Sequence, residues 1–423
     1  MRDLAAAGFL LLAACNGATP PQAPKAPAAA IEYGAELAAL EAELEAARAE
    51  AARYPQSWGV QERIAGLHLS RARLSGDYAD YDAAEAALDR ATALAGNGTA
   101  VCATRAQLEF ALHRLDRAQA GLTDCEKRFG LSAETQLELR GLAASIEFYR
   151  GRYAEALAGL RAALAEQETI PGLARLSRYH ASTGNNAEAL ALLDRAERMY
   201  FGDSAQLRAW LKLQRAVIYL ESGRWEDALA HLLAAERELH GWWLIEEHIA
   251  EVKALLGETE AARALYRDVI ARTGAPELLD ALAQLEFARG DDAAARELVA
   301  QAEVSHRKRL ARWPEAATGH ALEHFLRFGN PDETLALALA NARHRPYGDA
   351  QVQLARAYLQ PGRLTEGRAV IERILATPWN TAELHGVAHE IFHRAGKPAE
   401  AQAEARRASA LNPGWRRQYS VGP

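Results

Sequence analysis

The sequence predicts an all-α solenoid of about ten stacked helix hairpins, and three observations carry that prediction. Glycines recur at Gly151, Gly184, Gly223, Gly257, Gly290, Gly329, Gly362 and Gly396, spaced 33 to 39 residues apart. Five positions after each stands a small residue (Ala156, Ala189, Ala228, Ala262, Ala295, Thr334, Gly367, Ala401), and seven before stands another in most cases, from Ala144 and Ser177 to Ala355. Finally, roughly a fifth of the 423 residues are Ala, and Leu, Glu and Arg, all strong helix formers, supply much of the rest. A period near 34 marks paired antiparallel helices stacked in a row. The glycine breaks the first helix and allows a tight turn, and the small residues let the two helices approach closely.

From the N-terminus, Arg2 precedes an apolar run, Leu4 to Ala14, too short to cross a bilayer but suited to a secretory signal. The run ends in Leu12-Ala13-Ala14-Cys15, which resembles the bacterial lipobox; that resemblance implies cleavage and lipidation at Cys15, with residues 1–15 as the signal. Residues 16–30 are Pro/Ala-rich and nearly uncharged, a flexible tether that cannot build a core. Residues 31–56 contain an amphipathic stretch with Leu37, Leu40, Leu44 and Ala47 on one face, expected to cap the first repeat. Residues 57–414 hold the repeats and 415–423 a C-terminal tail. In lipoproteins of this kind a residue other than Asp after the cysteine, here Asn16, implies sorting to the outer membrane facing the periplasm.

The repeat resembles the tetratricopeptide repeat (TPR) family. Residues 205–240 carry it best, with Ala216, Tyr219, Gly223, Trp225, Ala228, Leu232 and Ala235 in family order; the last unit has Gly396, Ala401, Ala405, Ala408 and Asn412-Pro413. Earlier units are fainter, and residues 99–130 replace the turn glycine with His113. The two 39-residue intervals imply longer junctions near 200–204 and 306–314. The resemblance implies a right-handed superhelix with a concave groove lined by first helices, where Phe148, Trp210 and Phe287 are candidate contacts for a protein or peptide partner. Aligned to the repeat, Cys102 and Cys125 fall at opposite ends of one hairpin, so a disulfide is expected in an exported chain. Two free buried thiols are the alternative.

Two segments mimic zinc chemistry. His389-Glu390-Ile391-Phe392-His393 matches H-E-x-x-H, which on a helix sets two imidazoles and a general base on one face. A third ligand is missing, since position 399 is Ala, and the repeat assigns His389 and Phe392 to inward packing positions. His320, Glu323 and His324 match the inverted form and receive the same discount. The basic run His306-Arg307-Lys308-Arg309 with Arg312 reads as a solvated helix end, or as a contact for anionic lipid or an acidic partner. Of Trp242 and Trp243, one is expected to pack and the other to be exposed.

A net charge of −7 gives no global pull toward nucleic acid, and three cysteines cannot hold a four-cysteine cluster. No phosphate-binding loop, dinucleotide fingerprint or nucleophile elbow is present, so no cofactor and no small-molecule substrate are expected. The expected function is that of a lipid-anchored scaffold in the bacterial cell envelope that binds a protein or peptide partner, and not that of an enzyme. The competing readings are a zinc metallopeptidase using His389, Glu390 and His393, and a soluble adaptor with a misread N-terminus.

Overall fold

The computed structural model describes residues 31–95, 101–127 and 130–419; the signal, Cys15 and the tether lie outside the described residues. A first helix, α1 (Tyr33–Arg53), is followed by ten antiparallel pairs. The first five are α2/α3 (Trp58–Ser75, Ala79–Ala95), α4/α5 (Val101–Ala111, Leu115–Glu126), α6/α7 (Ala133–Tyr149, Tyr153–Glu166), α8/α9 (Ile170–Ser182, Asn186–Met199) and α10/α11 (Ala205–Glu221, Trp225–Glu238). The second five are α12/α13 (Trp243–Leu256, Thr259–Thr273), α14/α15 (Pro276–Arg289, Asp292–Arg312), α16/α17 (Pro314–Phe328, Pro331–His344), α18/α19 (Gly348–Leu359, Leu364–Leu375) and α20/α21 (Ala382–Arg394, Pro398–Leu411). A single turn, α22 (Trp415–Gln418), follows, and the whole is a TPR-like α-solenoid. Among the described residues no helix is long and apolar enough to cross a membrane.

The hairpin follows from its turn and its small residues. Gly223 sits at φ 72, a left-handed conformation that costs a residue without a Cβ nothing. His113, which replaces the glycine in its repeat, adopts the same conformation at φ 58. The unit at Gly329 differs: φ there is −86, and the next helix starts from Asn330, whose side chain accepts from the N–H groups of Asp332 and Glu333. Behind each turn the small residues face each other. Ala216 and Ala228 are buried, as are Ala250 and Ala262 and Ala283 and Ala295. Where the first of the pair is polar it bonds across the hairpin: Ser177 Oγ donates to the Ala189 carbonyl at 2.8 Å. One expected junction, 200–204, is a loop; the extra residues of the other lengthen α15 to 21 residues instead.

The superhelix is wound so tightly that successive turns touch. The inter-helix turn of one repeat meets the loop that opens a repeat about 190 residues later. Gly348 N–H donates to the Tyr153 hydroxyl at 2.9 Å, Asn380 N–H donates to the Ser182 carbonyl at 3.0 Å, and the Asn412 amide donates to the Glu221 carbonyl at 3.1 Å. Aromatic rings seal this seam, with Tyr149 and Tyr347 centroids 4.9 Å apart and Phe148 and Trp379 5.8 Å apart. At the N-terminal end, β1 (Ile31–Glu32) pairs in parallel with β2 (Leu239–His240) between α11 and α12. Helix α1 packs on α2 with Leu44 and Ala47 buried.

Tight winding corrects two sequence expectations. Trp242 and Trp243 are both buried, and both indole N–H groups donate to the Leu74 carbonyl at 3.0 Å. The basic run closes α15 at a solvated helix end, as expected, with Arg307, Lys308 and Arg312 exposed, and its arginines are paired. His306 is buried, Arg307 pairs with Glu303 and Glu333, Arg309 with Glu277, and Arg312 with Asp82 on the neighbouring turn. Phe148 is buried in the inter-turn seam rather than presented in an open groove.

Candidate functional site

Because the turns close on one another, the concave face survives as an internal cavity of about 500 Å³. Its wall comes mainly from first helices, α10, α12, α14, α16, α18 and α20, with α22 at one end. First helices form this wall because the small-residue faces turn toward their hairpin partners, leaving the opposite faces for the axis. Those faces mix apolar side chains with many charged ones. Seven carboxylates line the cavity, including Glu221, Glu251, Glu323 and Glu383, against the arginines Arg327, Arg356 and Arg417. Arg356 bridges Glu323 and Glu383 at 3.2 and 3.3 Å, and Gln353 donates to Glu323 at 2.8 Å. Burial alone would raise the Glu277 pKa, but Arg309, with His320 and His306 beyond it, pulls it down to about 2. Burial would likewise keep His248 neutral, yet Glu247 beside it raises its pKa to about 9.

A second cavity of about 440 Å³ is lined by Trp210, Trp242, Trp243 and His113, and His320 lines both. Trp210 is buried in that wall. Phe287 is half-buried, its ring 6.2 Å from that of Phe328, which lines the larger cavity. The three candidate groove residues are therefore not brought to one surface. Cys102 and Cys125, from α4 and α5, form a disulfide with their Cα atoms 5.5 Å apart.

The two zinc-like motifs part company. His389 Nδ1 lies 2.9 Å from the Ala401 carbonyl, the same cross-hairpin contact that Ser177 makes, and its ring abuts Trp415. Glu390 pairs with Arg394 one turn on, and His393 is exposed, so no third donor joins them among the described residues. In the inverted motif, His320 and Glu323 take separate partners, whereas His324 joins Asp280, which sequence reasoning missed, and His306, which it placed only in the basic run. Asp280 of α14 stands between His306 of α15 and His324 of α16, its Oδ2 2.9 Å from His306 Nε2 and its Oδ1 2.7 Å from His324 Nδ1. All three are buried, and their donor atoms lie within 4.8 Å of one another. His324 and His306 were each visible in the sequence in unrelated motifs; nothing joined them, and Asp280 is too distant in the chain for a local motif.

No known family model matches the sequence, and no curated protein does. Solved structures with the same repeat do. A tetratricopeptide repeat protein from Parabacteroides merdae is 19% identical, with 60% of this chain and 98% of that chain covered and a TM-score of 0.36. The Rap protein complexed with Competence and Sporulation Factor is 13% identical over 85% of this chain and 99% of its own, at 0.46. Human IFIT1, a dimer bound to m7Gppp-AAAA, is 14% identical over 84% and 90%, at 0.40. The likeness is one of fold alone.

Proposed function

We propose that the chain is a membrane-tethered scaffold that binds a protein segment bearing Lys or Arg in its inner cavity. The observation that supports this reading is the cavity wall, where carboxylates outnumber arginines by seven to three on first helices turned toward the axis. Such a wall, partly shielded from water, focuses a negative potential on whatever enters it. A volume of about 500 Å³ admits a short peptide segment rather than a whole helix. In this reading Cys15 carries the lipid, residues 16–30 span the distance from the membrane, and the solenoid presents the cavity at the envelope surface facing the periplasm.

Two measurements test it. Fluorescence anisotropy with a Lys/Arg-bearing peptide pool is expected to show salt-sensitive binding that weakens in Glu221→Gln and Glu251→Gln, with an acidic pool failing to bind. Equal binding of both pools would refute the cavity reading. Labelled palmitate is expected to enter the wild type and not Cys15→Ala; no incorporation in either would refute the tether.

A further inference from the structure

The geometry points to a binding site for a divalent transition-metal ion of the zinc class, formed by Asp280, His306 and His324 with an open position facing the inner cavity. The site is a property of the cavity wall and does not depend on which partner enters it. Two imidazoles and one carboxylate are the donor set of an open zinc site, in which a fourth position is left for water or an incoming donor. Each donor comes from a different helix, α14, α15 and α16, so packing of two adjacent repeats positions the set. Nitrogen-to-oxygen spacings of 2.9 and 2.7 Å bring the three side chains close enough for one ion to replace the hydrogen bonds between them. Asp280 and His324 line the cavity, while His306 closes the site from behind.

The rest of the molecule shows what a purely structural histidine–carboxylate pair looks like here. His68 bonds Asp80 at 2.7 Å, and the same carboxylate accepts from the Arg71 guanidinium at 2.9 Å. His385 bonds Glu404 through one ring nitrogen and Asn380 through the other. Each of those clusters holds a single imidazole with companions of other kinds. At Asp280 two imidazoles converge on one carboxylate, and the second ring nitrogen of His324, Nε2, is buried without a hydrogen-bond partner. A buried nitrogen left so calls for a partner that the protein does not supply, and an ion or its bound water is one such partner. No bond between ligand and protein beyond coordination is involved: a ring nitrogen that carries a proton in the metal-free state gives it to solvent or shifts it to the other ring nitrogen.

The test is a titration of the full mature chain, without an affinity tag and freed of metal, with Co²⁺ followed by visible absorption and with Zn²⁺ followed by elemental analysis. The expected result is one ion per chain. Asp280→Asn and His324→Ala weaken binding by more than about 100-fold, beyond the cost of losing an outer-shell partner. His389→Ala leaves binding unchanged. His324→Cys retains the ion and adds a thiolate-to-cobalt absorption band, which a structural role would not produce. No stoichiometric ion in the wild type overturns the proposal, whether or not the variants fold. So does binding that survives in both Asp280→Asn and His324→Ala, or that is lost in His389→Ala.

Discussion

Two segments of this chain carry the same residue types at metal-ligand spacing, and the fold treats them differently. At 389–393 the motif is absorbed by its own hairpin: His389 bonds the carbonyl of a residue twelve positions on, as Ser177 does in an earlier repeat. At 320–324 one member, His324, is drawn into a cluster that spans three helices. Local spacing is identical in kind; what differs is what the neighbouring repeat brings up. Next to His389 stand a backbone carbonyl and the Trp415 ring, and next to His324 stand a carboxylate and a second imidazole. A helical motif in a solenoid is thus read by the adjacent repeat, not by the helix that carries it.

The contrast breaks hardest at Asp280. Asp280→Ala strands two buried imidazoles and is expected to cost about 3–5 kcal/mol in urea unfolding, the range for removing one partner of a buried polar cluster. Next comes the covalent counterpart of that clasp. The Cys102–Cys125 bond spans a sequence separation of 23, and replacing both residues with Ala is expected to cost about 3 kcal/mol under oxidising conditions. Equal stability of the variant and the wild type would mean that the bond is absent in solution.

A pH series sharpens the comparison through His248, whose imidazole is held by Glu247, with the Leu244 carbonyl and Glu251 adding to it. Its folded pKa of about 9 lies above the unfolded value of about 6.5, so the stabilisation is fully present below 6.5 and lost as pH rises through 9. Glu247→Gln is expected to flatten that slope. Smaller still, His389→Ala is expected to cost about 1 kcal/mol, the worth of one hydrogen bond, with His389→Ser recovering part of it. Glu390→Ala removes a half-exposed pair with Arg394 and is expected to cost no more than about 0.5 kcal/mol. If Glu390→Ala were as damaging as Asp280→Ala, the two motifs would be equivalent after all.

The repeat was legible because its signals are local. Gly223 marks a left-handed turn, Ala216 and Ala228 mark a close approach, and their recurrence counts the hairpins. The winding was not legible, because it depends on contacts between residues about 190 positions apart, such as Tyr153 with Gly348 and Asn412 with Glu221. Nothing near Trp242 or Trp243 announces that both indoles reach the Leu74 carbonyl on another turn. Phe148 illustrates the consequence: an aromatic on the inner side of its repeat is a groove residue in an open superhelix and a seam residue in a closed one. The cavity wall lay between these extremes. Its first-helix origin follows from the repeat, but its carboxylates and the Asp280 cluster emerge only when α14, α15 and α16 are packed together.

The central claim is that partners are met inside the superhelix, at the acidic wall. In-cell photocrosslinking from Phe328, half-buried on that wall, measured beside Leu233, which is exposed on α11, tests it most directly. The account predicts capture from position 328 of a segment whose sequenced crosslink bears Lys or Arg, diminished by Glu251→Gln, and none from position 233. Capture from position 233 alone, or capture from position 328 that ignores Glu251→Gln, would contradict it.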